Sequence, residues 1–134
     1  MPPRSSPAAG YAPLARAIAS RGYTVHLVPM PGNLALLAPD RAPAIALAHP
    51  EVTGWVIAGH SLGGVAAANY VARNPGAVQG LALWASYPVD DLSAQDLDVL
   101  SIWGELDRSR AEFDSLRTRS LLPASAQFLE IPGG

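Results

Sequence analysis

Near the middle of the chain, Gly59, His60, Ser61, Leu62 and Gly63 read G-x-S-x-G between an apolar run, residues 55–58, and a small-residue segment, residues 62–73. An apolar run that gives way at once to a helical segment leaves no length for a loop, so the chain must pass from strand to helix in one sharp turn. A serine in such a turn has a strained backbone, and its neighbours must lack bulk if the helix is to pack close to the sheet. Gly59 and Gly63 supply that room, with Gly64 behind them. The turn would hold the Ser61 hydroxyl at the end of a strand, as a nucleophile elbow does. A glycine-rich turn in which Ser61 only caps the following helix has the same spelling.

The segments around this turn alternate in type. Pro13 suits the first turn of a helix over Leu14, Ala15, Ala17 and Ile18, and Gly22 stops it. Residues 23–28, rich in β-branched and aromatic side chains, read as a strand ended by Pro29, Pro31, Gly32 and Asn33. A loop or short helix over residues 34–37 and a helix over residues 42–48 follow, the latter with Asp40 as N-cap and Pro43 in its first turn. Pro75 and Gly76 terminate the helix after the elbow. Residues 78–85 and 97–103 read as strands apolar on both faces, residues 107–121 as a charged surface helix, and Gln127–Ile131 as a last strand. This order predicts an α/β fold: a mostly parallel sheet with helices on both faces and right-handed crossovers. The 134 residues make one domain, in which residues 1–10, with three prolines, form an irregular N-terminal segment.

Composition excludes several classes of function. No apolar stretch approaches the roughly 20 residues of a membrane span, although 49% of the chain is hydrophobic and 15% charged. Net charge is −2 and the nine cations, all arginines, are scattered, so there is no electrostatic footprint for nucleic acid. Without cysteine there is no disulfide, thiol nucleophile or thiolate metal site, and His26, His49 and His60 lack metal-ligand spacing. No metal and no cofactor are expected. The opening residues lack the apolar core of a secretory signal, which makes the cytoplasm the expected compartment.

Two segments resemble the α/β-hydrolase superfamily: Gly59, His60, Ser61, Leu62, Gly63 and Gly64 after one strand, and Trp103, Gly104, Glu105, Leu106 and Asp107 after a later one. The resemblance runs from Pro13 to Ile131 and implies a partial α/β-hydrolase fold. It further implies that Ser61 is the nucleophile, that Asp107 orients a catalytic histidine, and that the Leu62 N–H is one of two oxyanion donors. Asp107 also reads as a cap for a helix beginning near Arg108, and Asp90 and Asp91 are the alternative acid, otherwise a solvated loop. His60 is expected to pack beneath the elbow, His26 to lie on a sheet face and His49 to sit at a helix end.

The family places its histidine after the last strand, where this sequence reads Ile131, Pro132, Gly133, Gly134. It also places a strand before the first helix, between the strands at residues 23–28 and 55–58, and the proline-rich residues 1–10 cannot be a central strand. The expectation is an incomplete domain, part of a longer protein, with activity impaired for want of a base. The polar link at residues 86–95 is too short for a helical lid, which suits small esters, lactones or thioesters. The alternative is a non-catalytic domain that keeps the scaffold for binding or interaction. Expected partners are a small ester-type substrate, with no nucleic acid or membrane, and homo-oligomerisation through the exposed sheet edge stays open.

Overall fold

A computed structural model describes residues 10–28 and 41–134. The expected turn after residue 28, the segment at residues 34–37, the Asp40 cap and all but the last residue of the N-terminal segment lie outside the described residues. Pro13 stands in the first turn of α1 (Ala12–Ala19), and the chain leaves that helix through Gly22, whose φ of 95° favours glycine. The helix with Pro43 in its first turn is α2 (Arg41–Ala48).

Four strands form one all-parallel sheet in chain order: β1 (Val56–His60), β2 (Gly80–Trp84), β3 (Asp98–Gly104) and β4 (Gln127–Ile131). Register aligns Gly59, Leu83, Ser101 and Phe128 in one row, with Ile57, Leu81 and Val99 behind them on the same face. That face holds the core. The helix after the elbow, α3 (Leu62–Arg73), lays Ala67, Ala68 and Val71 on it, and Leu92, Leu97 and Leu122 belong to the same buried cluster. Each fully buried leucine contributes about 1.5–3 kcal/mol. The opposite face carries the row His60, Trp84, Ile102 and Leu129. Tyr11, just ahead of α1, stacks on Trp84 with ring centroids 6.3 Å apart. At the β1 edge this face is open, with Val56 68% exposed.

Two expectations fail. Residues 23–28 form no strand. A β-rich segment becomes a strand only when a neighbour completes its hydrogen-bond ladder, and β1, at the edge of the sheet, pairs only with β2 among the described residues. His26 is therefore not a sheet-face residue; it is exposed, its ring 4.8 Å from that of His49 and 6.0 Å from that of Trp55. The charged helix expected over residues 107–121 is two helices, α4 (Arg110–Phe113) and α5 (Leu116–Ser120). Ser115 divides them: its backbone is extended at φ −73° and ψ 158°, and its Oγ accepts the Thr118 N–H at 3.1 Å, an N-cap that starts a new helix.

The link from β2 to β3 carries no helix. It is anchored rather than loose: Leu92 is buried and donates its N–H to Leu121 O at 2.8 Å, and Gln95 Nε2 donates to Val71 O at 3.2 Å. Among the described residues no helix is long and apolar enough to cross a membrane.

Candidate active site

The turn between β1 and α3 places Ser61 at φ 53° and ψ −122°, a left-handed conformation rare outside glycine. Such a residue stores about 1–3 kcal/mol of strain and persists only where its surroundings over-determine it. Here they do. The Ser61 N–H donates to Trp84 O at 2.9 Å, and the Ser61 carbonyl accepts from the N–H groups of Gly64 and Val65 at 3.0 and 3.3 Å. The Ser86 hydroxyl donates to the same carbonyl at 2.7 Å. Ser61 makes no side-chain cap on α3, which leaves its hydroxyl uncommitted to the helix.

The glycines divide differently from the motif's spelling. A Cβ on Gly59 would fall 2.5 Å from Gly64 N and closer still to the Gly63 carbonyl, and one on Gly64 would fall 2.5 Å from Ser86 Cβ and 2.8 Å from Gly59 O. Gly63 faces open space. The close approach of helix to strand excludes a side chain at Gly59 and at Gly64, whereas a side chain at Gly63 would point into open space.

Ser61, Leu62 and His60 line a cleft of about 440 Å³ together with Asp107, Glu112, Ser86, Tyr87 and Phe113. The loop after β3 brings Asp107 there. One of its oxygens, Oδ1, accepts the Ser109 N–H at 2.8 Å, and its backbone carbonyl accepts the Arg110 N–H at 3.2 Å. The carboxylate thus closes the turn that leads into α4, whose N-cap is Ser109 rather than Asp107, and it lines the cleft. Asp90 and Asp91 are exposed and take no part in the cleft lining; Asp91 Oδ1 accepts from the Ser93 hydroxyl and N–H, which hold its carboxyl below the usual range. The last residue of the chain reaches the same loop, where the Leu106 N–H donates to Gly134 O at 2.8 Å.

His60 does not pack beneath the elbow. It is exposed, with Nδ1 hydrogen-bonded to Tyr11 Oη at 2.9 Å, because it ends the edge strand on the face opposite the core. His49 follows α2 and donates from Nδ1 to Glu51 Oε1 at 3.1 Å. The backbone N–H of Glu51 first, and then that ring, hold the Glu51 carboxyl below its usual range. Neither His26 nor His49 reaches the Ser61 cleft. Among the described residues no group of three or more His, Asp or Glu side chains could hold a metal ion.

Tyr11 and Ser86 escaped the sequence reading. Nothing in the spelling around Tyr11 points to His60, 49 positions away, and Ser86 opens a polar link that reads as solvated although it is 2% exposed. The one available sign was Gly64, a helix glycine with no need of a turn, which implies a close neighbour without naming it.

The strand, strained serine, small-residue helix and carboxylate after a later strand are one arrangement over most of the chain. Residues 5–134 match the sequence profile of the alpha/beta hydrolase family. No curated protein and no solved structure gave a significant match. The chain belongs to the alpha/beta hydrolase family.

Proposed function

We propose that the domain is a serine hydrolase that transfers the acyl group of a small ester, lactone or thioester to Ser61. The observation that carries this reading is the left-handed Ser61 at the β1–α3 turn, lining the same cleft as Asp107. In the proposed reaction Ser61 Oγ bonds to the acyl carbon while its proton passes to an imidazole base oriented by Asp107. The tetrahedral oxyanion accepts the Leu62 N–H at the N-terminus of α3, where the helix dipole also favours negative charge. Collapse breaks the bond to the leaving oxygen or sulfur, which takes up the proton, and water then hydrolyses the acyl-serine. A helix-free link between β2 and β3 supports small, water-accessible substrates.

Of the three histidines only His60 lines the cleft, and its Nδ1 is bonded to Tyr11, so acylation by these 134 residues is expected to be slow and to quicken when imidazole is supplied. The test is labelling with a fluorophosphonate, with and without imidazole. Stoichiometric labelling that imidazole accelerates and Ser61→Ala abolishes supports the reading. No labelling under either condition overturns it and leaves a hydrolase scaffold kept for binding.

A further inference from the structure

The Ser61 carbonyl and the Leu62 N–H belong to one peptide unit, which is trans like every described peptide of the chain, and in a planar trans peptide the two groups point in opposite directions. Whatever fixes the carbonyl aims the N–H. On the carbonyl side are the Gly64 and Val65 N–H groups, as at the start of any helix, and in addition the Ser86 hydroxyl at 2.7 Å, the shortest of the three contacts. On the other side, among the described residues, the Leu62 N–H meets no protein acceptor, and Leu62 lines the cleft.

Ser86 is set in place with some strain. Ala85 has a φ of 48° and, with Ser61, is one of two non-glycine residues with positive φ among the described residues. Ala85 donates its N–H to Ile102 O at 2.7 Å as the chain leaves β2, and the turn that follows sends Ser86 back under the elbow, against Gly64. A buried hydroxyl that donates to an amide carbonyl also polarises that amide and makes its N–H a stronger donor.

We propose that Ser86 is a positioning residue for the oxyanion site: its hydroxyl fixes and polarises the Ser61–Leu62 peptide so that the Leu62 N–H is aimed into the cleft before substrate arrives. The role rests on Ser61 being the nucleophile, and it reaches a residue in a different strand connection from the motif. Ser86 touches no reacting atom. A preset donor needs no reorganisation when charge develops, which is where its catalytic effect lies.

The experiment compares the full chain with Ser86→Ala and Ser86→Cys by three measurements: the second-order rate of fluorophosphonate labelling with imidazole supplied, the Leu62 amide proton shift by NMR, and the urea midpoint. Ser86→Ala is expected to slow labelling about tenfold or more and to move the Leu62 amide upfield, by more than any change in midpoint accounts for. Ser86→Cys, close in volume and a weaker donor, is expected to fall between, and it keeps the test decisive where the alanine variant unfolds. Labelling of the variants at the wild-type rate overturns the role. So does slow labelling with an unmoved Leu62 amide, which assigns the loss to packing alone. A wild-type chain that takes no label removes the nucleophile reading and this role with it, an outcome distinct from equal labelling of all three proteins.

Discussion

Gly64→Ala and Gly63→Ala are the same chemical change at adjacent positions of α3, and the structure assigns them opposite effects. At Gly64 the new methyl would lie 2.5 Å from Ser86 Cβ, against about 3.5–4.0 Å for carbons in contact, an overlap of about 1 Å. The elbow backbone at Gly59 O, 2.8 Å away, blocks escape on the other side. Overpacking of this kind costs about 1–3 kcal/mol. Displacing Ser86 also removes its hydrogen bond to Ser61, worth about 1 kcal/mol. Against this stands a gain of about 1 kcal/mol in helix propensity. The net expectation for Gly64→Ala is destabilisation by about 1–3 kcal/mol, together with slower labelling of Ser61 because the elbow shifts. At Gly63 nothing lies within 4 Å and only the propensity gain applies, so Gly63→Ala is expected to be neutral or to stabilise by up to about 1 kcal/mol. Urea unfolding followed by the fluorescence of buried Trp103 measures both. Equal losses at the two positions would refute the assignment of the close approach to Gly59 and Gly64.

Two further outcomes follow from particular contacts. Ser115→Ala removes the Oγ that accepts the Thr118 N–H, and is expected to destabilise the chain by about 1 kcal/mol, read from the urea midpoint; an unchanged midpoint would show that α5 needs no cap. The Ser93 hydroxyl and then its N–H lower the Asp91 carboxyl below its unfolded value, so their contribution is present above the unfolded pKa and is lost as pH falls through the folded one. The Ser93 amide resonance should therefore titrate with a midpoint below that of Asp91 in urea-unfolded chain, and a midpoint at or above it contradicts the contact.

What the sequence determined is the set of features that depend on near neighbours along the chain. Residues 62–73 form the expected helix, Gln127–Ile131 the expected strand, and the other three sheet strands depart from the expected ranges only at their ends. Ser61 could be located in a strand-to-helix turn because an apolar run, two glycines and a small-residue helix leave no other path. Ser115 was legible in principle as a cap, but a run of charged residues at helical spacing reads straight through it.

Tertiary structure decided everything that needs a partner distant in sequence. Residues 23–28 have the composition of a strand and are none, because a ladder takes two strands and no described strand pairs with them. His60 is held by Tyr11 on the outer face, Gly64 rather than Gly63 admits the helix to the sheet, and Ser86 meets the Ser61 carbonyl across 25 residues. A pentapeptide states that the chain must turn sharply at a serine; which groups hold that turn, and where the Leu62 N–H points as a result, is fixed only when β2 and its following loop close against it.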